Sequence, residues 1–242
     1  MKHYLVTCWN VDLYDFDWLC RRQKVFERFT LPSVEGQKNK NFEWLLISDS
    51  RTPDKFKNVL DRYPARIIYY DFEHYDWVEV DQSLDSRMQL AIRIETIGDV
   101  VAKAIGKHDT DYVITSRLDN DDILAVEHMD RIQKYVRSLW TSNYRFWFSL
   151  VRGYRYKVDA GKVYAFNSRR NSFLSFVEPP TDLKTCYQCC HTQADETGYP
   201  MELIRAGLPS WGEVVHGENV LNRVKRFARE DDARNVLGRF SL

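Results

Sequence analysis

A strand-forming run that ends in a cluster of acidic residues is the feature that most constrains this chain. Residues 112–115 (YVIT) are aromatic or β-branched, as in a buried strand, and the polar run 119–122 (DNDD) follows closely. Three carboxylates so close together repel one another, so a folded chain needs a positive charge beside them. A divalent cation supplies such a charge, usually together with a substrate diphosphate. The run therefore predicts a metal-dependent site for a nucleotide-linked substrate at the carboxyl end of a strand.

Two other interpretations of the acidic run follow from its residue types. Asp121 or Asp122 is a good N-cap for a helix predicted over residues 125–140, in which case the run is a solvated turn. A calcium loop of the EF-hand type requires glycine at its sixth position, where this chain has Leu124. The calcium loop is therefore excluded, and the capping turn stays open beside the metal site.

Composition and charge limit the classes of protein to consider. The 35 basic residues balance 35 acidic ones, so the chain lacks the basic excess of a dedicated nucleic-acid binder. No stretch approaches the roughly 18 apolar residues that cross a bilayer. The start of the chain turns acidic after a short apolar run, unlike a signal peptide. We expect a cytoplasmic protein with no nucleic-acid partner.

The five cysteines fit a reducing compartment better than a disulfide framework, because their number is odd. Four potential zinc ligands lie within residues 186–191 (CYQCCH), which resemble half of a zinc site. Structural zinc usually requires a second closely spaced pair of ligands, and none follows. Free thiols are favoured, and metal binding by the cluster is left open.

The first half of the chain alternates strands and helices. Strands are predicted at 3–11, 42–50, 65–72 and 111–117, with helices at 18–37, 52–64 and 84–106 between them. This order predicts an α/β fold with a mostly parallel sheet flanked by helices. The segment 145–168 then predicts antiparallel strands joined by a turn at 159–161. We expect one domain, 1–242, with a nucleotide-sugar-binding half (1–124), a mixed or antiparallel acceptor half (125–219) and a helical tail (220–242).

Four motifs in a fixed order carry a family resemblance. They are ISDSRTP (47–53), SRLDNDD (116–122), RRNSFLSFVE (169–178) and W-x-x-V-x-HGEN (211–219). Together they resemble nucleotide-sugar glycosyltransferases of the GT-A type, and more narrowly the bacterial rhamnosyltransferases. The resemblance implies a Rossmann-like GT-A sheet, a nucleoside-diphosphate sugar as donor and Mn²⁺ or Mg²⁺ as cofactor. It also implies transfer of a sugar, rhamnose among the candidates, to a saccharide or lipid-linked saccharide in surface polysaccharide synthesis.

The resemblance also assigns roles on the nucleotide side. Asp49, at the end of the second strand, would accept a hydrogen bond from the base, or else serve as an ordinary turn aspartate. Arg93, on the helix before the acidic strand, would reach the nucleotide, or else lie on a solvated helix face. Arg117 would pair with the carboxylates or contact the diphosphate.

The metal ligands implied by the resemblance come from two distant motifs. Asp119 would contact the ribose or the metal, and Asp121 would bind the metal directly. His216, beside a glycine that lets the backbone approach closely, would complete the ligand set, since imidazole suits Mn²⁺. The alternative for His216 is a structural role. The third carboxylate, Asp122, leaves open which pair holds the metal.

An inverting transferase also needs a carboxylate to take the acceptor proton. Glu178, Asp195 and Glu213 lie in the predicted acceptor half, and the sequence does not choose among them. A retaining mechanism would need no such base. The stereochemical outcome is therefore left open.

Two other functions and one further surface remain to be considered. A metal-dependent nucleotidyltransferase would also use paired carboxylates, and a non-catalytic carbohydrate-binding protein would use the many aromatic residues. The tail 220–242 combines an apolar stripe with basic residues, which suits peripheral contact with the inner face of a membrane. Packing on its own domain, or on a second subunit in a homo-oligomer, is the alternative.

Overall fold

The computed structural model describes residues 1–72, 86–142, 144–217 and 230–242, with the backbone alone at 86–93 and 234. The strands are β1 (Lys2–Asn10), β2 (Glu43–Asp49), β3 (Arg66–Tyr70), β4 (Val113–Arg117), β5 (Ile123–Leu124), β6 (Phe146–Leu150), β7 (Arg152–Lys157), β8 (Lys162–Asn167), β9 (Ser175–Glu178), β10 (Met201–Ile204), β11 (Trp211–Val215) and β12 (Glu230–Asp231). The helices are α1 (Phe16–Val25), α2 (Leu31–Glu35), α3 (Asp54–Leu60), α4 (Ser86–Ile105), α5 (His128–Leu139) and α6 (Ala233–Leu237).

The larger sheet has seven strands in the order β10-β6-β9-β4-β1-β2-β3. Every strand except β9 runs in the same direction, because β9 is antiparallel to both of its neighbours, β4 and β6. Strand β1 lies inside this sheet and is buried over most of its length, as expected for a parallel strand covered on both faces. The predicted α/β fold with a mostly parallel sheet is confirmed.

Helices cover both faces of the larger sheet. Leu5 of β1 packs in one core with residues of α1 and α5, whereas Val6 packs in a second core with residues of α4. Successive side chains of a strand point to opposite faces, so one strand feeds both cores. In α4, Ile97 and Val101 lie one turn apart and face the second core, as their spacing predicts.

The smaller sheet has the order β12-β8-β7-β11-β5. Strands β7 and β8 form the predicted antiparallel hairpin, and Gly161 ends its turn with a φ of 62°, which glycine adopts without strain. The segment 145–168 was predicted to form antiparallel strands around one turn, and for its first strand, β6, this prediction is wrong. Strand β6 pairs with β9 and β10 in the larger sheet, because its five buried residues need cover on both faces.

Trp211, the first residue of β11, joins the two sheets. Its ring stacks on Phe173 with centroids 4.9 Å apart, and its Nε1 donates to the carbonyl oxygen of Leu150 in β6 at 2.5 Å. The indole lies flat over Gly153 of β7, where a Cβ atom would overlap the ring. The absence of a side chain at residue 153 therefore sets how closely the sheets approach.

We expect Gly153→Ala to lower the free energy of unfolding by about 1–3 kcal/mol, because the new methyl group forces the Trp211 ring to move. Urea denaturation measures the change. Gly238→Ala is the control, since a Cβ atom there meets nothing within 4 Å. Equal stability of the two variants would contradict this account of the sheet junction.

Two histidines are buried, His3 on β1 and His128 at the start of α5. Gln133 donates to Nδ1 of His3 at 3.2 Å, so Nε2 of His3 donates to Ser116 at 2.8 Å. His128 bonds through Nδ1 to the carbonyl oxygen of Ser210 at 2.9 Å. Burial is the main reason that the pKa of each ring is lowered from 6.5 to about 3. Both rings are neutral in the folded protein.

Acid should therefore destabilise the protein through these rings. The unfolded chain binds protons near pH 6.5 that the folded chain binds only near 3, so the contribution is present above 6.5 and is lost as pH falls. His3→Gln should lose stability between pH 6.5 and 4.5 less steeply than wild type, by about 1 kcal/mol per pH unit. Denaturation at stepped pH tests this, and parallel curves would contradict it.

The tail 220–242 can be followed only from residue 230, and residues 220–229 lie outside the described ranges. Strand β12 pairs with β8, and Val236 and Phe240 are buried against the smaller sheet. This part of the tail packs on its own chain. In the ranges described, no helix is both long enough and apolar enough to cross a membrane.

Candidate functional site

The candidate site lies where the parallel strands β1, β2 and β4 end. Their carboxyl ends meet at one edge of the sheet, so the loops that follow them are neighbours. The backbone N–H of Asp12, after β1, donates to Asp49 at the end of β2 at 3.2 Å. Asn120, after β4, donates to the carbonyl oxygen of Trp9 in β1. The acidic run is therefore anchored at this edge.

Asp121 is the most tightly held carboxylate of the run. Its Oδ2 accepts from Nη1 of Arg22 at 2.7 Å and from Nε2 of His216 at 3.0 Å. All three side chains are at most 14% exposed. Burial raises the pKa of Asp121, but the hydrogen bond from His216 and the charge of Arg22 outweigh it and lower the pKa. Asp121 is thus an anion held by two groups from distant parts of the chain.

The pairing of β5 with β11 brings His216 to Asp121. The strands are antiparallel, with Trp211 opposite Leu124 and Gly212 opposite Ile123. Continued past the strands, this register sets the residues after Gly212 beside those before Ile123. The structure therefore brings Asp121 and His216 into contact although they are 95 positions apart in the sequence, and their role as metal ligands stays a prediction.

Asp122 has a structural role. Its side chain accepts from the backbone N–H of Val214 at 3.0 Å and from the hydroxyl of Ser172 at 3.5 Å, and the residue is 1% exposed. Burial, together with Asp121 and other nearby carboxylates, raises its pKa well above the usual value. The capping interpretation is wrong, because α5 begins only at His128 with Glu127 as N-cap.

Asp119 is the most accessible carboxylate of the run. Its Oδ1 accepts from Nε and Nη2 of Arg117, each at 3.3 Å, and its side chain is 36% exposed. The Arg117 guanidinium lies 4.9 Å from the ring centroid of Tyr187, so an aromatic face supports the cation. Burial lowers the pKa of Arg117, but Asp119 outweighs that effect and the pKa is raised.

Asp49 is buried beneath Arg51. Its oxygens accept from Nε and Nη2 of Arg51 at 2.9 and 2.7 Å, and the residue is 0% exposed. Burial raises the pKa of Asp49, but the bonds from Arg51 outweigh it and lower the pKa. The guanidinium also contacts Tyr14, 4.6 Å from the ring centroid. A nucleotide base could reach the Asp49 carboxylate only by displacing Arg51. This geometry therefore suits the alternative role of Asp49 as a turn aspartate.

Of the three candidate bases, Glu178 lies at the amino end of β4, the end opposite to the acidic run. It pairs with Val113 at the amino end of β4, about 13 Å along the strand from Arg117. Its two oxygens accept the backbone N–H groups of Lys184 and Thr185, each at 2.9 Å. Burial raises the pKa of Glu178 to about 7 against the effect of these donors.

The other two candidate bases, Glu213 and Asp195, are each paired with an arginine. Glu213 accepts from Nε of Arg155 at 2.6 Å, and burial raises its pKa despite that bond.

Asp195 pairs with Arg169 and lies 3.8 Å from Arg170. The carbonyl oxygen of Arg170 is 2.8 Å from His191, whose pKa is lowered by burial and by Arg117. Asp195, 27% exposed, is the more accessible of the two.

We expect Glu178→Gln to destabilise the protein without changing its nucleotide binding. An amide in place of the carboxylate turns an NH₂ group toward a backbone N–H, at a cost of about 1–3 kcal/mol. Denaturation gives the stability, and calorimetry gives the binding. Glu202→Gln on the edge strand β10 is the control. A stable variant without activity would instead point to Glu178 as the base.

Arg22 contacts Asp121 directly, but it lies outside the four sequence motifs. It lies on α1, nearly one hundred positions before the acidic run, and its spacing gives no signal of that contact. Arg93 lies on α4, but its side chain is outside the described residues, so its predicted role stays a prediction.

The donor types at the site fit a divalent cation. Asp119, Asp121 and His216 supply carboxylate oxygens and an imidazole nitrogen, which suit Mn²⁺, and the carboxylates also suit Mg²⁺. In the described ranges, no three or more His, Cys, Asp or Glu side chains are grouped so as to hold a metal ion as they stand. The carboxylates face arginines instead. A cation at Oδ2 of Asp121 would therefore compete with Arg22 for that oxygen. The cysteines of 186–191 are free thiols.

The chain also matches a known protein family. Residues 10–226 match the protein family described as "Putative rhamnosyl transferase". This match covers most of the chain, and the chain belongs to this family of glycosyltransferases. The resemblance carried by the four motifs is confirmed. Comparison with curated proteins gave no match.

Solved structures that are similar to this chain include two of S. aureus TarS. They are 10% and 9% identical, with TM-scores of 0.45 and 0.47, over 88% and 89% of this chain. The chain spans 60% and 37% of their lengths. The inositol-1-phosphate CTP transferase of T. maritima is 9% identical with a TM-score of 0.37, covering 88% of this chain and 89% of its own.

Proposed function

We propose that the protein transfers a sugar, rhamnose, from a nucleoside-diphosphate donor to a hydroxyl of a saccharide or lipid-linked saccharide. Bacterial surface polysaccharide synthesis is the proposed setting. The observation that carries the proposal is the contact of His216 with Asp121 at the carboxyl edge of the sheet, beside Asp119 and Arg117. Family membership supplies the class of reaction and the sugar.

Charge at the site supports a diphosphate leaving group. Arg117 and Arg22 bring two guanidinium groups to the edge where the acidic run begins. Nη1 of Arg117 and Nε of Arg22 are buried, and neither has a hydrogen-bond partner among the described residues. Buried donors without partners are costly, and phosphate oxygens would satisfy them. Departure of the nucleoside diphosphate would be favoured by these cations.

The proposed cofactor is Mn²⁺ or Mg²⁺, held by Asp119, Asp121 and His216. When bound, it would neutralise charge on the diphosphate. The chain's own contribution is to fix these ligands. Asp122 holds Val214 two residues before His216, and Asn120 anchors the run to β1. This support would orient the ligands before the donor arrives.

Asp195 and Glu213 remain the candidates for the acceptor base. Both belong to segments beside the site, and each is paired with an arginine that would have to release it before it takes a proton. Arg169 and Arg170 are roughly half exposed, so acceptor hydroxyls can reach this side of the site. Glu178, at the other end of β4, is assigned a structural role in the proposal.

Nucleotide binding tests the proposal. UDP, GDP, dTDP and CDP are each added with and without Mn²⁺, and the melting temperature is recorded. A nucleotide at a hundred times its dissociation constant stabilises the folded state by about 2.7 kcal/mol. We expect one nucleotide to act, only with metal, and Asp121→Asn to remove the effect. Asp159→Asn in the exposed β7–β8 turn is the control.

A transfer assay completes the test. The matching nucleotide sugar should be consumed in the presence of a saccharide acceptor, and EDTA should stop the reaction. Release of pyrophosphate from a nucleoside triphosphate would indicate a nucleotidyltransferase instead. Saccharide binding that is unchanged in Asp121→Asn, without any nucleotide effect, would indicate a non-catalytic carbohydrate-binding protein.

A further inference from the structure

Arg22 binds directly to Asp121, one of the proposed metal ligands. Its Nη1 lies 2.7 Å from Oδ2 of Asp121 and 3.0 Å from Oδ1 of Asn120. Its guanidinium also lies 5.0 Å from the ring centroid of Trp18, one turn earlier on α1. The side chain is 11% exposed. Two oxygen acceptors and an aromatic ring therefore hold this cation in a defined place.

The same contacts compensate the charge of the acidic run. A buried carboxylate without a counter-ion is strongly unfavourable, and Arg22 supplies a positive charge that is present at every physiological pH. A divalent cation that binds Asp121 would compete with the guanidinium for one carboxylate oxygen, because Oδ2 accepts from Arg22 and His216 together.

We propose that Arg22 is a built-in competitor for the metal, which it holds off until a nucleoside diphosphate is present. The inference rests on the proposed metal-dependent function. On metal binding, Arg22 releases Asp121 and pairs with the diphosphate, whose oxygens replace the carboxylate as its partner. Metal and nucleotide then bind cooperatively, since each removes the obstacle to the other.

The affinity of the nucleotide-free protein for Mn²⁺ tests this role of Arg22. Arg22→Gln removes the competing charge but keeps a polar side chain at α1. We expect it to bind Mn²⁺ about tenfold more tightly than wild type, which corresponds to about 1.4 kcal/mol. Its nucleoside diphosphate binding with metal should be weaker, and nucleotide should no longer raise its metal affinity.

Electron paramagnetic resonance of free Mn²⁺ measures the affinity directly, with and without the nucleoside diphosphate selected by the melting screen. Arg22→Lys keeps the charge and should bind Mn²⁺ as weakly as wild type. Arg28→Gln, on the turn that follows α1, is exposed and serves as the matched control. Circular dichroism confirms that each variant is folded.

The outcomes separate this inference from the proposed function. Equal Mn²⁺ affinities in wild type and Arg22→Gln, with nucleotide binding still dependent on metal, would overturn the role of Arg22 alone. Weaker Mn²⁺ binding in Arg22→Gln would overturn it as well. No Mn²⁺ binding by any folded protein, even with nucleotide, would overturn both this inference and the metal-dependent function. If Arg22→Gln does not fold, Arg22→Lys provides the test. Weaker nucleotide binding by Arg22→Lys, with the cooperativity between Mn²⁺ and nucleotide unchanged, would support the competition. Tighter Mn²⁺ binding by Arg22→Lys than by wild type would contradict it.

Discussion

The antiparallel pairing of β5 with β11 is the constraint on which the site depends. The side chain of Asp122 reinforces the pairing by accepting the backbone N–H of Val214, so backbone pairing and one side-chain hydrogen bond tie the acidic run to the last motif. Gly212 permits the approach, since a Cβ atom there would lie 2.9 Å from Ile123. With the two segments fixed in this way, His216 reaches Asp121 without a long flexible connection.

Charge compensation is the second theme of the structure. Three carboxylates at the carboxyl edge have an arginine close by: Asp49 has Arg51, Asp119 has Arg117 and Asp121 has Arg22. The repulsion that the acidic run implies is therefore relieved in part within the protein, and a cation bound at Oδ2 of Asp121 would compete with Arg22. The pKa values of adjacent aspartates are consequently shifted in opposite directions. The pKa of Asp121 is lowered by its partners, whereas that of Asp122 is raised chiefly by burial.

Periodicity and turn residues were enough to predict the parallel sheet. Buried strands such as β1 are continuous apolar runs, and Gly161 marks its hairpin turn clearly. The same sequence features did not place β6 correctly, because an apolar run does not reveal which of two sheets the strand will join. Family motifs located Asp121 and His216, but no local pattern reveals that Arg22 would meet them. That contact depends on how α1 packs across the end of β1, which is a long-range property of the fold.

The most direct test of the account is a crystal structure of the protein with the selected nucleoside diphosphate and Mn²⁺. The account predicts that the diphosphate lies at the carboxyl edge, beside Asp119, Asp121 and Arg117, with Arg22 turned away from Asp121. A nucleotide bound elsewhere would contradict it, for example in the cavity of about 380 Å³ lined by Tyr154, Asn167 and Asp232 at the other end of the smaller sheet.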